Sequence, residues 1–427
     1  MTAHFVWIFL VITLLGVPIA FAMAAGPIVG FLLSGHAGFL QILPQRLISG
    51  ISQFSLLAIP LFILAGEIMN TGGITQRLVN VADAFVGHLR GGLAQVNIVS
   101  NVLFAGLSGS AAADASALGS VLIPAMEREG YTRRFAAAVT AASAILGPII
   151  PPSIMMVIYA FVMQLSVAAL FLTGFVPGIM IGGGLMLATR LLANRRGFPQ
   201  RKPRASFRTV VRATWAGALP LLTPLIILGG IVGGICSPTE AAAVAVVYAA
   251  FISLFIFKTI GLKDLYDALR RSMITSAGIL LIISTAALFG WAMTLSGLPR
   301  ELASLIIGMA DNRYVVLALL NVFLLIVGMF LDAGPAILII GPILAPTIAH
   351  FGIDPLHFAI VMCVNLSIGL ATPPVGLVLF VTSSVSKISV VEIVREMLPY
   401  YLVHIVVILL ITYIPALTLT LPRLAGF

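Results

Sequence analysis

The chain has 427 residues, 60% of them apolar and only 9% charged, with a mean hydropathy of +1.16. Soluble domains carry about a quarter charged residues, so a soluble, disordered, collagen-like or coiled-coil protein is excluded. The 23 Lys/Arg against 14 Asp/Glu give a net charge of +9; with the basic residues gathered beside apolar runs, this reads as the topology of a polytopic membrane protein and not as a nucleic-acid surface.

In chain order, the apolar residues 3–25 lack a preceding basic segment and predict a first span leaving a cytoplasmic N-terminus. A second span is expected at 53–70. Residues 93–107 and 111–126 flank LSGSAAAD and are read as a helical hairpin that enters and leaves by one face. Its turn needs protein or water around it, because lipid cannot satisfy freed backbone groups. Residues 135–162 cross with a break at Gly147-Pro148-Ile149-Ile150-Pro151-Pro152-Ser153, and 168–190 return. The largest basic block then holds Arg190, Arg195, Arg196, Arg201, Lys202, Arg204, Arg208 and Arg212 without one acid, which places it in the cytoplasm.

Residues 214–234 and 239–257 form the next two spans, joined by Ser237-Pro238-Thr239-Glu240, which has the form of a capping box. The loop with Lys258, Lys263, Arg270 and Arg271 is again cytoplasmic, and 273–294 cross outward. A second hairpin covers 314–349 with LDAGP at its turn. A second broken helix, 357–384, carries Gly369-Leu370-Ala371-Thr372-Pro373-Pro374-Val375-Gly376. A last span near 400–418 leaves the C-terminus outside, for nine full crossings.

The two hairpin regions align at a constant offset of 222 residues. Gly106 falls on Gly328, Gly119 on Gly341, Pro124 on Pro346, Gly130 on Gly352, Gly147 on Gly369, Pro151-Pro152 on Pro373-Pro374 and Pro177 on Pro399. After a two-residue slip, Gly66 and Gly73 pair with Gly290 and Gly297. An odd number of crossings separates equivalent points, so the repeats are expected to be inverted, the arrangement of alternating-access carriers. The expected organisation is an N-terminal scaffold span and connection (1–50), a first repeat (51–190), basic loops with scaffold spans (191–272) and a second repeat (273–427).

Paired prolines remove two successive amide donors, freeing carbonyls upstream and exposing amides at the start of the next half-helix. Such carbonyls beside a hairpin turn can cage a hard cation such as Na⁺; a kink with internal compensation is the plainer alternative. Ser108, Gly109 and Ser110 offer hydroxyls and close backbone approach at the first turn, and Asp332, Ala333 and Gly334 occupy the matching stretch of the second. Asp332 reads either as a cap of the hairpin or as a cation ligand or proton carrier, with the cap the plainer reading, and Asp114 has the same ambiguity. Asn365, which matches Ser143, is a candidate for the cavity or for helix–helix hydrogen bonding. Glu240 reads as a cap, and Glu67 as a helix end or lateral contact. Cys236 and Cys363 read as packing residues, and no HExxH, CxxC or Walker pattern suggests an enzyme or a cofactor.

At these residues the chain resembles the large membrane subunit of a tripartite ATP-independent periplasmic transporter. The resemblance rests on NVLFAGLSGSAAADASALGSVLIPAM (101–126), GYTRRFAAAVTAASAILGPIIPPS (130–153), SPTEAAAVAVVYA (237–249), GMFLDAGPAILIIGPILAP (328–346) and VNLSIGLATPPVG (364–376), and it covers essentially the whole chain. It implies an all-α inverted-repeat protein of the bacterial inner membrane, working as an elevator with two re-entrant hairpins and two proline-broken helices. It further implies Na⁺-coupled uptake of an organic acid anion, with a periplasmic binding protein and a separate small membrane subunit as partners. The family's first sodium region maps onto Ser108, Gly109, Ser110, Gly147, Pro148 and Ile150. Its second maps onto Gly328, Asp332, Ala333, Gly334, Gly369 and Thr372, with Asp114, Ser153 and Asn365 as further cavity or coupling candidates. The competing expectation is a stand-alone sodium- or proton-coupled carrier of the dicarboxylate or citrate type; a purely structural membrane scaffold would not need two matched breaks.

Overall fold

The computed structural model describes residues 4–198, 203–309 and 312–427; Arg201 and Lys202 of the basic block lie outside the described residues. Among the described residues every regular element is a helix.

The N-terminus departs from the expected single span at 3–25. It forms two helices, α1 (His4–Leu14) and α2 (Ile19–Leu33). Gly16 turns the chain with φ +86° and Pro18 withholds an amide at the entry to α2. The pair lies face to face, and a Cβ on Gly30 would stand 2.7 Å from that of Phe5. Next come α3 (Leu43–Ile51), α4 (Ala58–Thr71) and α5 (Ile74–Val86), the last two joined through Gly73 at φ +69°.

The first hairpin is α6 (Gly92–Ser108) and α7 (Ala111–Arg128), and the first broken helix is α8 (Arg133–Ala144) and α9 (Ile154–Met163). After α10 (Val167–Arg196) come α11 (Phe207–Val232), α12 (Pro238–Phe251), α13 (Leu262–Ser296) and α14 (Leu298–Met309). The second hairpin is α15 (Arg313–Phe330) and α16 (Ala333–His350), followed by the broken pair α17 (Pro355–Gly369) and α18 (Leu377–Ser386), then α19 (Val390–Tyr413) and α20 (Ala416–Leu424).

Several helices run beyond the apolar stretches that signal them. α13 begins at Leu262, not near 273, and its 35 residues extend about 52 Å at 1.5 Å per residue, against a hydrocarbon core of about 30 Å. Lys263, Arg270 and Arg271 therefore ride on a helix end, as do Arg195 and Arg196 on α10 and Arg208 and Arg212 on α11. Ser206 caps α11 by accepting from the Thr209 amide at 3.2 Å. Eight helical segments among the described residues are long and apolar enough to cross a membrane: Phe54–Thr71, α10, α11, Pro238–Ile256, α13, α15, α16 and α19.

The repeated glycines and prolines sit at equivalent places in the helices. The helix starts pair as 92 with 313, 111 with 333, 133 with 355, 154 with 377 and 167 with 390, keeping the 222-residue offset within one position. Matching caps accompany them: Ser110 and Asp332 open α7 and α16, while Thr132 and Asp354 open α8 and α17. Gly130 and Gly352 both have positive φ, and both double-proline bonds, 151–152 and 373–374, are cis.

α8 from Phe135 to Ala144 and α17 from His357 to Gly369 are buried throughout. Each is tied to its hairpin by buried polar side chains. Asn101 donates to Ser143 at 2.9 Å, and Asn365 donates to the equivalent helix at Asn321, 2.8 Å away. Closest approach comes at Gly328 of α15 and Gly369 of α17, where a Cβ on Gly369 would lie 2.5 Å from the Gly328 backbone. Overpacking of this kind costs about 1–3 kcal/mol. Gly369→Ala should therefore lower the thermal midpoint of the detergent-purified protein by several degrees, while Gly183→Ala, which meets nothing within 4 Å, should not lower it. Equal midpoints for the two variants would contradict the close crossing.

Candidate functional site

The first turn is built by glycine and short hydroxyl side chains. Gly109 ends α6 at φ +61° and Ser110, in extended backbone, opens α7. The Ser108 hydroxyl donates to Asp114 and accepts from the Ser110 amide at 3.2 Å. Asp114 is completely buried; its Oδ2 has no hydrogen-bond donor among the described residues and lies against the Cα of Gly147, where a Cβ would collide with it. A carboxylate one turn into α7 is thus pressed against the first break. Pro148 turns its carbonyl to Ser153, whose hydroxyl donates at 2.6 Å and also caps α9 by accepting from Met156 at 3.3 Å. Ile150 packs on Gly178 of α10.

In the second repeat, Asp332 caps α16 by accepting from the Ala333 amide at 2.9 Å, while its side chain stays exposed. Met329 accepts from the Gly376 amide at 3.0 Å, fastening the end of α15 to the second break. Thr372 donates back to Ile368 at 2.7 Å, and the Ala371 carbonyl accepts from the Tyr401 hydroxyl of α19 at 2.7 Å.

Both regions open onto one cavity of about 250 Å³. Its wall contains Gly109 to Ala112 at the start of α7, Ile154 and Met155 at the start of α9, Gly334 and Pro335 at the start of α16, and Leu377 at the start of α18. Pro148 and Leu370 come from the two breaks, and among the described residues Asp332 is the only charged one in the lining. The first turns of four helices therefore face one space. Each supplies backbone amides without intrahelical partners and a positive end of the helix dipole.

This cavity unites Gly109, Ser110, Pro148, Asp332 and Gly334 of the sequence-predicted set. Ser108, Asp114, Gly147 and Ser153 lie directly behind it. Gly328, Gly369 and Thr372 form the support of the second break. Asn365 does not line the cavity: it belongs to a buried chain running through Asn321 to Thr412 at 3.0 Å, which is helix–helix bonding. Glu240 closes its capping box with Ser237, accepting from that amide at 2.7 Å. Glu67 accepts from Arg271 at 3.1 Å as a lateral tie between α4 and α13. Among the described residues no three His, Cys, Asp or Glu stand close enough to hold a metal ion.

Sequence reasoning missed the wall contributed by α13, namely Thr275, Ile279, Ile282 and Ile283. These follow helical spacing, but α13 is apolar on every side there, so the facing stripe has no contrast. Tyr401 was missed as well; a lone tyrosine in an apolar run gives no sign of the carbonyl it serves.

The chain matches the family of the tripartite ATP-independent periplasmic transporter, DctM component, over residues 6–417. It is 38% identical over 409 residues to the sialic acid TRAP transporter large permease protein SiaM of Vibrio cholerae, covering 96% of this chain and 95% of that protein. It is 38% identical over 427 residues to the C4-dicarboxylate TRAP transporter large permease protein DctM of Rhodobacter capsulatus, covering 97% of each. The crystal structure of the Alcanivorax borkumensis YdaH transporter has the same all-helical, multi-spanning fold, with a TM-score of 0.64 over 96% of this chain and 97% of that one at 15% identity. Large permeases of this kind work with a small permease subunit and a periplasmic substrate-binding protein. With its family signature running nearly end to end, the chain belongs to the tripartite ATP-independent periplasmic transporters as their large, multi-pass inner-membrane permease, a transport protein and not an enzyme.

Proposed function

We propose that this permease carries an organic acid anion inward together with Na⁺, and that the cavity between the two hairpin turns holds the anion. The observation carrying this reading is the convergence of four helix starts, on α7, α9, α16 and α18, around a space with no basic side chain among the described residues of its lining. Free amides and helix dipoles suit a carboxylate. Asp332 opposes it: like charges 4 Å apart repel by about 4 kcal/mol at an effective dielectric of 20. A co-bound cation resolves that conflict, which gives the coupling a physical reason.

The first Na⁺ region comprises Ser108, Gly109, Ser110, Gly147, Pro148 and Ile150, with Asp114 as the buried carboxylate behind it. The second comprises Gly328, Asp332, Ala333, Gly334, Gly369 and Thr372. In this reading α6–α7 and α15–α16 are re-entrant hairpins of two inverted repeats, within 51–190 and 273–427, that move as an elevator past a scaffold including α13. The relatives named for sialic acid and for C4-dicarboxylates are equally similar to this chain, which supports a carboxylate substrate without selecting one.

Initial uptake against external Na⁺ in proteoliposomes at fixed pH tests the coupling. Asp114→Asn and Asp332→Asn keep the side-chain shape and an acceptor for Ser108 or the Ala333 amide. Each should raise the half-saturating Na⁺ concentration roughly five- to hundred-fold, the equivalent of about 1–3 kcal/mol. Wild-type curves from both variants would remove the carboxylates from the site, and uptake indifferent to Na⁺ in the unmutated protein would end the coupling proposal.

Uptake should also need the partners. Reconstituted alone, the chain should transport little; adding the small subunit and the loaded binding protein should restore it. Full uptake by the chain alone would favour a stand-alone carrier.

The excess of basic residues in 190–212 and 258–271 supports a cytoplasmic side for both segments, with the N-terminus inside and the C-terminus in the periplasm. A cysteine at Arg208, in a background with Cys236 and Cys363 replaced, should react with an impermeant thiol reagent only in inverted vesicles. Labelling in intact sealed cells would reverse the orientation.

A further inference from the structure

We propose that the outer face of the α10–α19 pair is a binding site for one anionic phospholipid, with an acyl chain between the helices and the phosphate at Arg195. A groove of about 650 Å³ runs there, walled by apolar side chains such as Leu187, Leu191, Leu402 and Val406, with Arg195 as its one charged residue. Leu187 is shared with a neighbouring hollow of about 390 Å³ that carries Arg90 and Arg190. Two cations therefore stand beside the groove that holds the third.

Among the described residues these cations have no acidic partner. Glu396 is taken by Arg196 at 2.5 Å, and among the described residues no carboxylate pairs with Arg90, Arg190 or Arg195. Arg90 spends one donor on Asn194 at 2.6 Å. A guanidinium left without a carboxylate at the end of an apolar groove is complementary to a phosphate that is covalently joined to an apolar chain.

Charge decides the occupant. Inside a bilayer the apolar wall gives no preference for any particular lipid, since surrounding chains are as apolar as leucine. Selection must come from the headgroup, and basic pockets between helices on the cytoplasmic side suit anionic lipids. The site lies on α10 and α19, away from the central cavity, and shares no lining residue with it.

The test is native mass spectrometry of the full chain in mild detergent, with dioleoyl phosphatidylglycerol and dioleoyl phosphatidylcholine added at equal concentration. The wild type should retain one phosphatidylglycerol about five-fold in preference to phosphatidylcholine, the order expected of one basic residue facing an anionic headgroup. Arg195→Gln should abolish the preference, Val406→Trp should prevent retention of either lipid by filling the groove, and Arg208→Gln, away from the groove, should change nothing. No headgroup preference in the wild type, or an intact preference in Arg195→Gln, would overturn the proposal. So would displacement of the bound lipid by the small subunit, which would assign the groove to a protein helix. Should Val406→Trp fail to fold, the Arg195→Gln comparison still decides.

Discussion

Hydrocarbon offers a freed carbonyl or amide no hydrogen bond, so every backbone group released by the two double-proline breaks must find its partner within the protein. The rest of the architecture follows from that demand. Ser153 serves the Pro148 carbonyl, Tyr401 reaches from α19 to Ala371, and the Val378 amide returns to the Leu370 carbonyl at 2.9 Å. Ser153 and Val378 come from the second halves of the broken helices and Tyr401 from a neighbour. The first halves, α8 and α17, are buried along most of their lengths, while outer helices present Leu, Ile and Phe at the surface. The same demand makes the breaks useful. Backbone groups that cannot be left in lipid can be turned toward an enclosed space, and four helix starts are.

The two repeats solve one backbone problem with different electrostatics. In the first, the capping position is Ser110, and the carboxylate sits four residues later at Asp114, fully buried with one oxygen on Ser108. In the second, the carboxylate is itself the cap, at Asp332, and faces the cavity. In segments that match across the 222-residue offset, one negative charge thus lies behind the wall and another in it.

Much of this was legible in the sequence because glycine and proline carry backbone requirements that apolar residues do not. Gly109, Gly130, Gly352 and the two proline pairs marked helix ends that lie within about two residues of the expected ones. The N-terminal stretch misled because hydrophobicity is continuous through Gly16 and Pro18, and a single glycine–proline pair does not outweigh twenty apolar residues. Helix ends in basic segments were hidden for the opposite reason: apolar runs mark the lipid-facing length, whereas α11 and α13 are extended by caps at Ser206 and Gly261 into water. The cavity itself could not be read, since Ser110 and Asp332 are 222 positions apart and nothing local requires them to meet.

The glycine contacts at the turns have a mechanical corollary. Gly328 lies on the Gly369 backbone, the Gly376 amide is bonded to Met329, and Gly109 stands so near the Pro152 carbonyl that a Cβ would come within 3.1 Å of it. Turn and break meet backbone to backbone at these glycines, with the Asp114 carboxylate set against Gly147 beside them. Turn and break therefore share a seam of bare backbone, and a side chain added at Gly109, Gly328 or Gly369 would act as a wedge in it.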